Sequence, residues 1–244
     1  MDHLHDPMGS AIADFWRHGV AGRLRVFSPD FDEDEIPVES LFRTYDEMPA
    51  LERRALQMAS GRILDVGAGA GCHSLALQKM GKDVTAVEIS ALSAATMRDE
   101  GVERVLEQDF FRLAIDPAVP LLKEPFDTIL MLMNGIGIAG SLERLPQLFA
   151  CFDRLLAPGG QVLLDSTDLC YLFEEDGVIE IPEGDRYYGE LEYQMQYKRV
   201  KGQTFPWLYL DPDTLKEEAS RHGYNAEIIA QGDNYDFLAR VTHL

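Results

Sequence analysis

The stretch RILDVGAGAGCHSLAL at residues 62–77 leads a short apolar run into closely spaced glycines and then into a helix-like pattern. The apolar run predicts a buried strand, and the residues after the glycines predict a helix. Glycine weakens regular structure, so Gly67, Gly69 and Gly71 at alternate positions indicate a backbone that something approaches more closely than a Cβ atom would allow. We therefore expect a ligand at the tip of this strand.

Strands and helices continue to alternate after this loop, which predicts an α/β fold. Short apolar strands separated by helices are typical of a doubly wound, mostly parallel sheet that is covered on both faces. A helix at 211–223 and two further strands, turned at 232–234, predict an antiparallel C-terminal strand and bring the expected sheet to seven strands. The earlier predicted strands lie at 62–67, 83–90, 102–110, 126–135 and 161–167, and the helices between them at 72–81, 91–101 and 142–160.

Two segments stand outside this alternation. Residues 1–60 contain helix-like patterns and an acidic break, and they predict an N-terminal helical cap on the domain formed by residues 61–244. Residues from about 186 to 210 hold two β-rich runs on either side of Lys201 and Gly202, which predicts an inserted β-hairpin that turns there. We expect both segments to be additions to one compact unit.

The charge of the chain restricts its partners. With 42 acidic against 22 basic residues and a formal net charge of −20, the average field repels phosphate backbones and anionic headgroups, so we expect neither nucleic acid nor membrane as partner. The N-terminus has no apolar signal segment, and no apolar run reaches the roughly 18 residues that span a bilayer. Cys72, Cys151 and Cys170 are too widely spaced for a disulfide framework or a zinc site. The sequence therefore predicts a cytoplasmic protein without a metal.

The spacing of the glycines separates the known kinds of nucleotide-binding loop. A phosphate-binding P-loop requires Gly-Lys-Ser/Thr after four intervening residues, but Cys72, His73 and Ser74 stand there. A dinucleotide loop requires a third glycine where Cys72 stands, although Gly67, Gly69 and an acid about 20 residues later satisfy the rest. The spacing rejects the P-loop and leaves an NAD-dependent oxidoreductase as an alternative.

The stretch LDVGAGAG, with Asp65 ahead of the glycines, resembles motif I of the class I S-adenosylmethionine-dependent methyltransferases. Features at the ends of the later strands are similar to that family in order and spacing: Glu88 in VTAVEIS, Asp109 in VLEQDF, Asn134 in FDTILMLMNG, and the turn and fifth strand in LLAPGGQVLLD. The resemblance covers residues 60–166. It implies a Rossmann-like methyltransferase fold with S-adenosyl-L-methionine as cofactor.

The resemblance also implies roles for individual residues. Asp65 would hold the loop or meet the ammonium of the methionine part, Glu88 would accept hydrogen bonds from both ribose hydroxyls, and Asp109 would accept from the adenine amino group. Phe110 would cover the adenine ring, while the helix start after Gly71 offers N–H groups to the carboxylate of the cofactor. The implied cofactor-binding residues are Asp65, Gly67, Ala68, Gly69, Gly71, His73, Glu88, Ile89, Asp109, Phe110 and Asn134.

The methyl acceptor is expected to be a small molecule. Methyltransferases of DNA bases and glutamine amides carry Asn/Asp-Pro-Pro-Tyr/Phe after strand four, whereas this chain has NGIG, which argues against their mechanism. Aromatic side chains in the cap and the hairpin suit an apolar or cationic molecule. The predicted walls of the acceptor site are Phe42, Tyr45, Met48, Tyr197, Phe205, Trp207 and Tyr209.

The sequence assigns no general base. A sulfonium methyl group is already activated, so alignment and exclusion of water are the main tasks, and a base is optional. His73, Tyr45 and Asp165 are the candidates for one. Two other functions stay open: the oxidoreductase, and a non-catalytic module that keeps the cofactor pocket and uses the hairpin edge at 187–209 for a homodimer or another protein partner.

Overall fold

The computed structural model describes residues 5–115, 124–181, 184 and 186–244, so residues 1–4 of the predicted cap lie outside the described residues. Its helices are α1 (Pro7–His18), α2 (Ala50–Met58), α3 (Cys72–Lys79), α4 (Ala91–Glu100), α5 (Phe110–Leu113), α6 (Leu145–Leu155) and α7 (Pro212–Arg221). Its strands are β1 (Leu24–Phe27), β2 (Asp34–Ile36), β3 (Arg62–Val66), β4 (Asp83–Glu88), β5 (Val105–Glu107), β6 (Phe126–Met131), β7 (Leu156–Thr167), β8 (Glu174–Glu175), β9 (Val178–Ile179), β10 (Glu190–Tyr197), β11 (Val200–Lys201), β12 (Phe205–Leu208), β13 (Tyr224–Gln231) and β14 (Asp236–His243). No helix in this part of the chain is long and apolar enough to cross a bilayer.

The main sheet has seven strands in the order β13-β14-β7-β6-β3-β4-β5. The strands β7, β6, β3, β4 and β5 run parallel to one another, whereas β14 runs antiparallel to both β7 and β13. The chain moves outward from β3 to β5 and then returns to β6 on the other side of β3. This arrangement confirms the predicted doubly wound, mostly parallel sheet with its antiparallel C-terminal strand.

Apolar side chains cover the sheet on both faces. Successive residues of a strand point to opposite faces, so neighbours in β3 belong to different layers. Ile63 is fully buried in the apolar cluster that contains Leu56 of α2 and Leu77 of α3, whereas Leu64 is fully buried in the cluster that contains Phe152 of α6. This double burial explains why the strands are continuous apolar runs rather than alternating ones.

The carboxyl ends of the five parallel strands meet at one edge of the sheet. Gly67 follows β3, Glu88 ends β4, Asp109 follows β5, Asn134 follows β6, and Asp165 lies two residues before the end of β7. The strand order reverses between β3 and β6, and ligands of open α/β sheets bind at such a switch point. The fold therefore brings the predicted site residues to the edge where a ligand is expected.

A second sheet joins the N-terminal segment to the insertion. Its strands run in the order β11-β10-β1-β2, and β12 pairs with β10 as well. The prediction of a helical cap for residues 1–60 is therefore incomplete, because β1 and β2 contribute strands beside α1 and α2. Runs of three or four residues carry too little alternation to predict a strand, and the partner of β1 lies far away at Gln194–Tyr197.

The inserted hairpin is confirmed, but the predicted turn at Lys201 and Gly202 is wrong. Tyr197 pairs with Val200, so the chain reverses at Lys198, whose φ is 51°, and the residue after it. Nζ of Lys198 lies 2.5 Å from Oδ2 of Asp14, so the turn contacts α1. Gly202 instead continues the pairing, since its N–H donates to the carbonyl oxygen of Met195 at 2.9 Å.

The second sheet docks onto the loop that follows β6. A Cβ atom at Gly137 would lie 2.1 Å from Nε1 of Trp207, and one at Gly140 would lie 2.9 Å from the ring of Pro206. These two glycines therefore allow β12 to lie directly on the loop. The contact places the insertion above the carboxyl edge of the main sheet.

This close approach predicts the effect of Gly137→Ala. The added methyl group must displace the Trp207 ring, and overpacking of this kind costs about 1–3 kcal/mol of the free energy of unfolding. We expect a lower midpoint of chemical unfolding, measured by tryptophan fluorescence. Gly22→Ala is the control, because its Cβ would meet nothing closer than 3.5 Å. Equal midpoints for the two variants would contradict the docking contact.

Candidate active site

The loop after β3 contains glycines with two different tasks. Gly67 and Gly69 have φ values of 70° and 58°, and a Cβ atom at either would meet no heavy atom within 4 Å. Gly71 has a φ of 90°, but its Cβ would lie 2.8 Å from Cγ of Met97. Open space therefore borders the first two glycines, whereas Gly71 allows α3 to pack against α4, a role that differs from the cofactor contact implied by resemblance.

Asp65 lies beneath this loop. Its side chain is buried, and Oδ2 accepts a hydrogen bond from the Ser74 hydroxyl at 2.7 Å. Burial raises the pKa of the Asp65 carboxyl, while His73 and the bonds from Ser74 oppose the rise. Asp65 thus ties the start of α3 to the tip of β3. Ala68, in the loop between them, packs in an apolar cluster with Met97 of α4.

Glu88 connects the loops that follow β3 and β4. One carboxylate oxygen accepts from the N–H of Gly69 at 2.9 Å, and the other accepts from the N–H of Ser90 at 2.8 Å. The side chain is buried, and burial raises its pKa although the N–H groups of Ser90 and Gly69 favour the ionised form. Glu88 thus lies beside the open space at Gly67, and its role at the ribose stays a prediction.

A cavity of about 200 Å³ lies between these loops. The sequence predicted five of its lining residues, and two of the remaining ones, Phe111 and Arg144, are in contact: the Arg144 guanidinium lies 5.2 Å above the Phe111 ring. The residues that line the cavity are Gly67, Val87, Glu88, Ile89, Gln108, Asp109, Phe110, Phe111, Ile138 and Arg144. Ile138 and Arg144 follow β6 without a motif, so no signal in the sequence could have found them.

The wall of this cavity after β5 is built around Asp109. Its Oδ1 accepts from the N–H of Phe111 at 2.8 Å and of Arg112 at 3.3 Å, so Asp109 caps the short helix α5. Phe110 is buried, with its ring centroid 5.8 Å from that of Phe111. Ile89 on the opposite loop is 43% exposed. The cavity is therefore lined mainly by apolar side chains, together with the carboxyl-bearing residues Glu88 and Asp109.

The loop after β6 is held by Asp165. The N–H of Met133 donates to Oδ2 at 3.1 Å, and the N–H of Asn134 donates to Oδ1 at 2.7 Å. Both loop residues have positive φ values, 63° and 55°, and the Thr167 hydroxyl donates to Oδ1 of Asn134 at 3.0 Å. Burial raises the pKa of Asp165 to about 6. These contacts make Asp165 an anchor of the loop, whereas the sequence proposed it as a base.

The other two candidate bases point toward the cap. Nε2 of His73 lies 2.7 Å from Oε2 of Glu52 in α2, and both side chains are buried. Arg43 donates to the same carboxylate oxygen. Burial alone would raise the pKa of Glu52, but the bonds from His73 and Arg43 outweigh it, so the pKa lies below its ordinary value. The Tyr45 hydroxyl accepts from Nε2 of Gln57 at 2.8 Å.

Some of the predicted acceptor walls are instead core residues. Phe42 packs on Phe15 with ring centroids 4.7 Å apart, and Met48 is buried against α2 and α3. Tyr197 is fully buried, and its hydroxyl accepts from the N–H of Gly22 and donates to Asp14. These three side chains hold the cap together, so their assignment to the acceptor site is not supported by their contacts.

The remaining aromatic residues share one face of the second sheet. Phe205 and Trp207 stand two residues apart on β12, so their side chains share a face, with ring centroids 6.1 Å apart. Phe205 is the cross-strand partner of Tyr193. Tyr209 continues the same alternation, and its hydroxyl lies 3.3 Å from that of Tyr193. Since Trp207 contacts the loop at Gly137, this face lies over the carboxyl ends of β6 and β7.

Known methyltransferases resemble this chain. Residues 63–160 match the family described as "Methyltransferase domain". A crystal structure of a SAM-dependent methyltransferase from Bacteroides fragilis, in complex with S-adenosyl-L-homocysteine, superposes with a TM-score of 0.91 at 50% identity, covering 100% of this chain and 97% of that one.

Two curated relatives are more distant. A ubiquinone biosynthesis O-methyltransferase from Nitrosococcus oceani is 26% identical over 196 residues, which is 74% of this chain and 80% of the relative. A cypemycin N-terminal methyltransferase from a Streptomyces species is 33% identical over 109 residues, which is 43% of this chain and 42% of the relative. The first name specifies methylation of oxygen, and the second specifies methylation at an N-terminus.

The open space at Gly69 predicts the effect of Gly69→Leu. The new side chain would project beside Glu88 into the space that a ligand needs, so we expect the affinity for S-adenosylhomocysteine to fall at least 100-fold in titration calorimetry, about 2.7 kcal/mol. Gly81→Leu is the matched control, because Gly81 also has a positive φ, 74°, and open surroundings, but lies beyond the far end of α3. Equal losses in both variants would show that backbone strain alone is responsible.

The raised pKa of Asp165 predicts a pH-dependent difference from Asp165→Asn. A carboxyl with a pKa of about 6 in the native state and 3.8 when unfolded stabilises the protein below pH 4, and this contribution is lost as the pH rises through 6. The free energy of unfolding of the wild type, relative to the variant, should fall by about 2 kcal/mol between pH 4 and pH 7. Urea unfolding at both pH values measures it, and a constant difference would contradict the expectation.

Proposed function

Because this chain belongs to the class I S-adenosylmethionine-dependent methyltransferases, we propose that it transfers the methyl group of its cofactor to a small molecule bound beneath the second sheet. The family membership selects the methyltransferase over the oxidoreductase and the non-catalytic module that the sequence left open. S-adenosylmethionine is the cofactor.

The residues at the carboxyl edge fit this cofactor. The observation that carries the proposal is the open space at Gly67 and Gly69, which a Cβ atom would enter, directly beside the buried carboxylate of Glu88. We assign the ribose hydroxyls to Glu88 and the adenine to the cavity between Ile89 and Phe111, with Asp109 at the amino group. Bound there, S-adenosylmethionine supplies a methyl group already activated by its sulfonium.

The acceptor is proposed to lie between the loop after β6 and the aromatic face of the second sheet. The rings of Tyr193, Tyr209 and Phe205 supply apolar walls, and the two tyrosines add hydroxyl groups. Such a lining suits an aromatic or otherwise apolar small molecule. The net charge of −20 supports an acceptor that is not a nucleic acid. The name of the Nitrosococcus relative places its own acceptor in ubiquinone biosynthesis, which is consistent with this class.

The chain's own residues are proposed to contribute alignment rather than proton transfer. Asp165 fixes Met133 and Asn134 in left-handed conformations, which sets the floor of the acceptor site. The second sheet covers this floor and keeps water from the reacting atoms, and such positioning accounts for several kcal/mol of a barrier. Each of the three candidate bases is hydrogen-bonded to another group of the protein: Asp165 to the loop after β6, His73 to Glu52, and Tyr45 to Gln57.

A homodimer through the hairpin stays a prediction, as does a cytoplasmic location. β10 pairs with β1 through Gln194–Tyr197 and with β12 through Glu190–Tyr193. Among the described residues, Glu190–Tyr193 therefore have a strand partner on one side alone, and a partner strand could add there, to β2 or to β12.

Methyl transfer to a small molecule is tested with S-adenosylmethionine labelled in its methyl group. The protein is incubated with a bacterial extract, which is then separated into a low-mass fraction, protein and nucleic acid. We expect label in the low-mass fraction with the wild type and none with Gly69→Leu. Label confined to the protein or nucleic acid fraction would overturn the proposed acceptor class while leaving the cofactor in place.

A further inference from the structure

A buried carboxylate of the N-terminal segment lies next to the loop that follows β4. Asp6 stands immediately before α1, and its side chain is buried. Its Oδ1 accepts from the N–H of Gly9 at 2.8 Å, which caps α1. Its Oδ2 accepts from the hydroxyl of Ser90 at 2.5 Å. Because Ser90 stands immediately before α4, Asp6 joins the start of one helix to the start of the other.

Ser90 connects Asp6 to Glu88. Its hydroxyl oxygen accepts from the N–H of Ser93 at 3.0 Å and so caps α4, while its own N–H donates to Oε1 of Glu88 at 2.8 Å. The other carboxylate oxygen of Glu88 accepts from the N–H of Gly69 at 2.9 Å. A continuous series of hydrogen bonds therefore runs from the first turn of α1 to the glycine loop.

The close approach of α1 and α4 depends on Gly9. A Cβ atom at this position would lie 2.3 Å from Oγ of Ser90 and 2.4 Å from Oδ2 of Asp6. These are the two atoms that form the hydrogen bond between the helix starts, so a side chain there would push them apart. Asp6, Ser90 and Glu88 are all buried, and the loss of a bond between such groups is not replaced by water.

The series of hydrogen bonds keeps the oxygens of Glu88 available to a ligand. The Ser90 hydroxyl has one hydrogen, and because Asp6 accepts it, that hydrogen does not compete for Glu88. A carboxylate has about four acceptor positions, so each oxygen of Glu88 can accept a further bond beside its N–H partner. Burial raises the pKa of Glu88, and the charge of Asp6 adds to the rise.

We propose that Asp6 is a positioning residue for the ribose of S-adenosylmethionine, acting on Glu88 through Ser90. This deepens the proposed function, because it rests on Glu88 accepting the ribose hydroxyls. Asp6 fixes the start of α4, and the Ser90 N–H then fixes the orientation in which Glu88 meets the sugar. Since coupling between two sites is reciprocal, a cofactor bound at Glu88 also strengthens the docking of α1 on α4.

Titration calorimetry with two probes tests the proposal: S-adenosylhomocysteine, and its 2′,3′-dideoxy analogue, which lacks both ribose hydroxyls. The wild type should bind S-adenosylhomocysteine about 100-fold more tightly than the analogue, because the analogue makes no hydrogen bond to Glu88. In Asp6→Asn this ratio should fall to about 10 or less, while the affinity for the analogue stays within about threefold of the wild type. The amide offers one acceptor oxygen in place of two, so it can accept from Gly9 or from Ser90 but not from both.

Asp211→Asn is the matched control. Asp211 caps α7 through Oδ1, and its Oδ2 accepts from the hydroxyl of Tyr187 at 2.6 Å, so it combines a helix cap with a hydroxyl partner as Asp6 does. α7 packs on β13, which is the edge of the main sheet farthest from β4 and β5. We expect this variant to keep the wild-type ratio. An equal fall in both variants would attribute the effect to general destabilisation and would overturn the proposal.

The remaining results separate the proposal from its premise. If Asp6→Asn weakens both probes alike and keeps the wild-type ratio, Asp6 is purely structural and the proposal is wrong. A wild type that does not discriminate between the probes would overturn the ribose role of Glu88, and the proposal with it, while leaving the cofactor in place. Failure of the wild type to bind S-adenosylhomocysteine would instead overturn the proposed function.

A second variant covers the case in which Asp6→Asn does not fold. Ser90→Ala leaves Asp6 capping α1 and keeps the N–H that Glu88 accepts, but it removes the hydroxyl that Asp6 holds. We expect the same fall in the ratio of affinities, and a wild-type ratio in this variant would overturn the proposal.

Discussion

The hydrogen bond from the Gly69 N–H to Glu88 is the interaction on which the site depends. Only a left-handed backbone turns this N–H toward the tip of β4, and glycine adopts that conformation without strain. Because the second oxygen of Glu88 accepts from Ser90, one buried carboxylate fixes the loops after two strands. The N–H groups of Gly67 and Ala68 also donate to the carbonyl oxygen of Val87, so backbone bonds join the same loop to β4.

The same device recurs along the carboxyl edge. Asp65 holds Ser74, Asp109 caps α5, and Asp165 holds the loop after β6. Burial raises the pKa of Asp65 and Asp165, and the hydrogen bonds that these carboxyls accept offset part of that cost. A row of carboxylates also complements a cofactor that carries a sulfonium and an ammonium group.

The acceptor side is built by parts that are distant in sequence. β1 pairs with β10, although more than half of the chain separates the two strands in sequence. Trp207 of β12 reaches the loop after β6 only because Gly137 has no side chain. The local pattern of a strand does not show which distant strand it pairs with. The insertion can thus change its lining without disturbing the main sheet, which is consistent with one fold serving many acceptors.

The sequence by itself determined the main sheet, the cofactor loop and the acids at the strand ends, because buried strands, glycine spacing and polar residues at fixed places are local patterns. Tertiary structure alone decided which residues do what. Gly71 turned out to face Met97, Tyr197 became core, and Ile138 and Arg144 joined the cavity, since each outcome depends on a neighbour from another element. The turn at Lys198 likewise depends on distant partners, since Tyr197 pairs with Val200 and Lys198 forms an ion pair with Asp14 of α1.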